Sequence, residues 1–179
     1  ARKRSALGSL LVFTAPGIPM IFQGQEFLED AWFQDKDPLD WSRAETHEGI
    51  VRLYRDLIGL RRNVEGNTAG LTGAHLHVHH LDFENKVVAY HRWAEGGPGD
   101  SVVIALNLAN EEKRGCEVRF PLPGEWIVRF NSDWNGYSED FDDIGGSGVA
   151  ADPEPLDDLP CRGLIDLAPY SGLILSQDR

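Results

Sequence analysis

GIPMIFQGQEF, residues 17–27, carries an apolar run, Ile18 to Phe22, straight into two amides and a carboxylate. A short unbroken apolar run of this kind reads as a strand buried on both faces, the pattern of a parallel sheet. Its flanks read as helices. Upstream, Ala6, Leu7, Leu10, Leu11 and Phe13 suit a helix packed on one face, which stops before Pro16 because proline disfavours a helical predecessor. Downstream, Ser42 and Glu45 have capping-box spacing. Beyond them Ile50, Leu53, Tyr54, Leu57, Ile58 and Leu60 recur at helical spacing, with Arg52, Arg55, Asp56, Arg61 and Arg62 mostly on the other face. One strand cannot supply its own neighbours, so residues 1–66 are expected to be the closing part of a larger α/β domain.

After residues 67–73, NTAGLTG, which read as a linker, the period changes to two. Leu76 and Val78 alternate with His75, His77 and His79, Glu84-Asn85 suits a turn, and Val87 to Trp93 returns as a second strand. Further short strands are expected at 101–108, 116–120, 126–131, 164–167 and 173–175, with residues 135–160 as a long acidic, glycine-rich loop. Residues 67–179 are therefore expected to form an antiparallel β-sandwich. The fold class is mainly β, a sandwich preceded by a helix–strand–helix unit.

Composition narrows the function. A net charge of −12 over 179 residues argues against nucleic acid and against anionic membranes, and is compatible with neutral ligands such as sugars. Cys116 and Cys161 lie in no CxxC pair, and two reduced thiols in a cytoplasmic protein are the expected state. No segment approaches the roughly 20 apolar residues of a membrane-spanning helix. There is no glycine-rich phosphate loop, no GxSxG nucleophile and no Cys–His pairing of usable spacing, so no cofactor is expected.

TAPGIPMIFQGQEF (residues 14–27) resembles the eighth barrel strand of the alpha-amylase superfamily, glycoside hydrolase family 13, and DPLDW (37–41) and GIVRLYRDLIGLRRN (49–63) continue the match. ENKVVAYHRW (84–93), VVIALNLAN (102–110), RFNSD (129–133), IGGSGV (144–149) and APYSGLIL (168–175) are similar to the C-terminal β-sandwich of 1,4-alpha-glucan branching enzymes. The resemblance implies a TIM (β/α)8 barrel enzyme acting on α-1,4-glucans (glycogen, starch or maltooligosaccharides) by a retaining mechanism, with a nucleophilic carboxylate and an acid/base carboxyl about 5–5.5 Å apart. It places the catalytic carboxylates on the fourth, fifth and seventh barrel strands. None of those strands matches anything here, so no catalytic residue is assigned and the chain alone is expected to be inactive.

Active sites of such barrels lie at the C-terminal ends of the strands. The resemblance therefore points Gln23, Gln25 and Glu26 toward a sugar cleft, with Trp32 and Phe33 following as aromatic platforms. The alternative is that these groups only tie loops to the rim; Asp40 and Trp41 are expected to be loop anchors. His75, His77 and His79 could hold a transition metal, but they also suit the outward side of an edge strand, and no metal site is assigned. Trp126 is expected in the core; Trp134, after the NSD turn, suits an exposed position where a flat ring could stack on sugar, but no sugar site is assigned to it. Two rival functions remain: a hydrolase of the same superfamily, and a stand-alone carbohydrate-binding or structural module. The run Leu10 to Phe22, left extended, is expected to fold back on the sandwich, pair with a second copy or stay disordered.

Overall fold

A computed structural model describes residues 1–32, 34–156 and 159–179, and only the backbone at 155 and 156. The element order is α1 (Arg2–Thr14), α2 (Ser42–Thr46), α3 (Glu48–Arg61), then eight strands. These are β1 (His75–Asp82), β2 (Val87–Trp93), β3 (Val102–Asn107), β4 (Lys113–Phe120), β5 (Gly124–Asn131), β6 (Val149–Leu156), β7 (Leu159–Leu167) and β8 (Ser171–Ser176). Every pairing is antiparallel, in the order β1-β2-β3-β8-β5-β6-β7-β4. The ladder folds over between β5 and β6, which share only three residue pairs, so β4, β7 and β6 lie across from β2, β3 and β8.

Three layers result, helices on sheet on sheet. Alternation along β3 and β8 divides their side chains between two cores. Val102, Ile104, Leu106 and Ile174 meet Leu7, Leu10 and Phe13 of α1 and Leu53, Tyr54 and Leu57 of α3. Val103, Ala105, Leu173 and Leu175 meet Val118, Phe120, Trp126, Ile165 and Leu167 from the opposite side. Both strands are buried throughout because a covered sheet has no wet face. Trp126 is in the core as expected, its indole Nε1 donating to the Leu122 carbonyl at 3.1 Å.

The decisive stretch of the sequence is not a strand here. Ile18 to Phe22 forms no ladder, and Ile18 and Met20 are 97% and 73% exposed. No β-ladder forms along it among the described residues; the Phe22 amide turns instead to Gln25 Oε1 at 2.7 Å. The Ser42–Glu45 capping box does not form either. Ser42 instead donates to Asp40 Oδ1 in a turn just before α2, through its amide at 3.1 Å and its hydroxyl at 2.6 Å.

Residues 67–73 form a packed turn where a linker was expected. The Thr68 amide donates to Asn63 Oδ1 at 2.8 Å, Leu71 is buried, and a Cβ on Gly70 would lie 2.5 Å from the Arg92 and Asp100 carbonyls. The acidic loop expected over 135–160 is interrupted by β6 and by the start of β7. Pro153 and Pro155 disguise β6, and its pairing with β7 shifts register between Pro153 and Leu156, where prolines are tolerated.

Two arginines fasten the helical layer to the sheet. Arg92 is 0% exposed and its guanidinium donates to carbonyls, Thr14 O at 2.5 Å, Gly73 O at 2.6 Å, His75 O at 3.1 Å and Leu71 O at 3.2 Å. Arg61 reaches Phe13 O at 3.2 Å, Ala15 O at 2.9 Å and the Gly17 carbonyl. The carbonyls at the end of α1 lack intrahelical donors and carry the negative end of its dipole, so cations are favoured there. At the opposite end, Lys3 Nζ lies 2.7 Å from Asp133 Oδ1 and 2.9 Å from Asp142 Oδ2, tying α1 to the loop after β5.

Candidate functional site

The segment from Gln23 to Trp41 folds around a short 3₁₀ turn, Gln25–Phe27, entered through Gly24 at φ 86°. A side chain on Gly24 would strike Glu29 Cβ at 2.6 Å, so this glycine permits both the turn and the close approach. Phe27 is buried and packs on Trp41 with ring centroids 5.1 Å apart. Glu29 bridges the segment, its two oxygens accepting from the Ala31 amide at 2.9 Å and the Asp40 amide at 3.0 Å. Those amides hold its carboxyl below the usual range, and the Ser42 donors do the same for Asp40. Arg43 closes the rim, with Nε 3.0 Å from Leu28 O and Nη1 3.0 Å from Asp30 Oδ1.

The four expected site residues divide. Gln23, Gln25 and Trp32 line one hollow of about 130 Å³ with Phe22, Glu29 and Pro38. The Gln25 carbonyl oxygen is already used, accepting from the Phe22 amide at 2.7 Å, so this amide supports its own turn. Trp32 is 88% exposed, a free ring at the mouth of the hollow. Glu26 is not among the lining residues; its Oε2 is buried without a hydrogen-bond partner among the described residues. Phe33 lies outside the described residues. The hollow is below the roughly 300–1,000 Å³ of a complete small-molecule site. Asp40 and Trp41 are loop anchors through the contacts above.

Trp134 is 37% exposed; its ring covers Gly136 and meets Tyr137 edge-on at 4.9 Å. No group of three or more His, Cys, Asp or Glu side chains among the described residues could hold a metal. Cys116 and Cys161 are free thiols, and burial raises both pKa values. The histidine strand holds a feature that pattern reading did not find. Both ring nitrogens of His79, and Nε2 of His91, are buried without hydrogen-bond partners among the described residues. Their pKa values are pushed down to about 3 and about 4, first by burial and then by neighbouring imidazoles. The alternation HLHVHH does not reveal this, because a register shift at Val78/His80 sets His79 out of step with its neighbours.

An antiparallel sandwich whose outer face is roofed by two helices, with a polar turn and an exposed tryptophan beyond the first, defines the class: an all-β sandwich domain with a short helical preface. Residues 77–178 match the family described as alpha amylase, C-terminal all-beta domain, and the chain belongs to that family. Among curated relatives, it is 30% identical over 171 residues to 1,4-alpha-glucan branching enzyme GlgB of Frankia casuarinae, covering 90% of this chain and 20% of the relative. It is 27% identical over 186 residues to the protein of the same name from Mycobacterium tuberculosis, covering 97% of this chain and 24% of the relative. The chain thus spans about a fifth to a quarter of the length of those relatives. Among solved structures, pullulanase from Anoxybacillus superposes with a TM-score of 0.62 at 21% identity, over 98% of this chain and 23% of that one. An alpha-amylase from H. orenii superposes with a TM-score of 0.60 at 16% identity, over 99% of this chain and 36% of that one. At those identities the shared property is the fold.

Proposed function

We propose that this chain is the C-terminal part of an α-glucan-acting enzyme, and specifically of a 1,4-alpha-glucan branching enzyme of the cytoplasm that cleaves an α-1,4 bond and transfers the chain to a 6-hydroxyl. The observation that carries the reading is the extent of the likeness: relatives named for that activity match the helical preface together with the sandwich, over 90–97% of the chain. In this reading residues 67–179 brace the barrel through α1 and α3. The exposed Ile18, Met20 and Phe22 pack between barrel strands supplied by sequence outside these residues. Gln23, Gln25 and Trp32 then form one wall of the sugar cleft, and Glu26 supports it from behind. The catalytic carboxylates come from elsewhere in the enzyme, so the isolated 179 residues do not turn over glucan.

The test is an assay of the native full-length protein on amylose, scoring new α-1,6 branches against release of reducing ends. Branch formation, weakened by Trp32→Ala through a raised KM, is the expected result. Reducing ends without branches would make the parent a hydrolase. Saturable maltooligosaccharide binding by the isolated chain, reversed by Trp134→Ala, would instead favour a stand-alone module.

A further inference from the structure

β1 is the terminal strand of the sheet and, among the described residues, pairs with β2 alone. Its apolar side chains hold it weakly, since Leu76, Val78 and Leu81 are exposed. What it places inside are imidazoles. His77 is the cross-strand partner of His91, and the His77 and His79 rings are 6.1 Å apart. The His91 ring, on a residue 7% exposed, stacks on Trp93 at 4.5 Å. Facing His79 are His77 and His80 of β1, His91 of β2 and Arg119 of β4. His91 is faced by His77 and by Asp100.

Among the described residues, the carboxylates of this group already accept other donors. Asp100 already accepts from the Ala94, Glu95 and Gly96 amides. Glu117 of β4 is held by Arg119 at 2.7 Å and Arg162 at 3.7 Å. A proton on His79 would sit buried beside other imidazoles and the Arg119 guanidinium. One on His91 would sit buried beside His77, with Asp100 drawing it in the opposite sense but outweighed by burial.

We propose that β1 is a proton-operated edge strand: protons taken up by His79 and His91 release β1 from β2 and β4 while the rest of the sandwich stays folded. The displacement has a fixed sign. Both imidazoles bind protons less readily in place than when released, where the ordinary value of 6.5 applies. Closure is thus fully favoured above pH 6.5 and is lost as pH falls from there toward 4 and 3. At pH 5, His79 alone shifts the opening equilibrium by about 30-fold. Release stays local because β2, β3, β8 and β5 keep their own ladder without β1.

Amide hydrogen exchange of the whole chain at pH 7.5 and 5.0, corrected for intrinsic rates, tests this. Protection of residues 75–82 is expected to fall by about 30-fold or more at pH 5, with 102–107 and 171–176 unchanged. The His79→Gln, His91→Gln double variant is expected to lose that difference. Equal loss across all strands, or the same pH response in the double variant, would overturn the proposal. Should the double variant not fold, imidazole proton resonances of the unaltered chain decide. Titration of His79 and His91 near 6.5 with β1 amides still protected refutes it; protonation only as β1 opens supports it.

Discussion

Replacing Arg92 with methionine keeps most of the buried stem and removes the guanidinium. Four carbonyl oxygens, those of Thr14, Leu71, Gly73 and His75, then lose a donor at 2.5–3.2 Å. A stranded buried acceptor costs about 1–3 kcal/mol, so the four together give about 4–12 kcal/mol before any relief. Relief comes from two sources. The desolvation of the cation, several kcal/mol, is recovered, and carbonyls in the 71–75 turn can reach water after small shifts. The net expectation is a loss of about 3–5 kcal/mol, against a total stability of about 5–15 kcal/mol for a domain of ordinary stability. Urea denaturation read by tryptophan fluorescence measures it as a lowered midpoint at constant slope. Arg92→Lys is expected to recover less than half, because one ammonium cannot span the donor directions of a planar fork. A methionine variant within about 1 kcal/mol of the original chain would refute the claim that this residue fastens α1 to the sheet.

Two further substitutions probe the junction between α3 and the loop after β5. Gly49→Ala improves helix propensity by about 1 kcal/mol, yet its Cβ would lie 2.2 Å from the Tyr137 carbonyl oxygen. Thermal denaturation is expected to show a net loss of more than about 2 kcal/mol, and a stabilised variant would disprove the close approach. Tyr137→Phe removes the hydroxyl that donates to Asp56 Oδ2 at 2.5 Å. Burial raises the phenol pKa, so the group stays protonated and able to donate. Loss of this charge-assisted bond is expected to lower stability by about 1.5–3 kcal/mol in urea titration at neutral pH; an unchanged midpoint would mean the bond adds nothing net.

Much of the sandwich was legible because its signals are local. The alternation of β1 and β2, the Glu84-Asn85 turn and the apolar cores of β3, β5 and β8 follow from side-chain period and turn chemistry. The α1 and α3 stripes were legible for the same reason, and Leu7, Leu10, Leu53 and Leu57 are buried as their spacing requires. β6 escaped because prolines and acidic residues mask a strand whose ladder tolerates them only at an irregular pairing. The Asp40–Ser42 turn escaped because Ser42 and Glu45 offer capping-box spacing to an unaided reading. At the candidate site, sequence supplied Gln23, Gln25 and Trp32 as a group. Structure then separated Glu26 from the hollow and showed the Gln25 oxygen already engaged.

By itself the sequence determined which segments are apolar on one face, which on two, and where the period changes from helical to alternating. It left open what would cover a doubly apolar run, because burial requires neighbours that no local pattern names. VVIAL in β3 and LIL in β8 are covered on one side by a second sheet and on the other by α1 and α3. IPMIF carries the same signal, yet Ile18, Met20 and Phe22 lie open to solvent and only Ile21 packs against the helix-side core. Tertiary packing alone decides between these outcomes, since the free energy of an apolar strand depends on the surfaces brought against it and on the ladder that fills its edges.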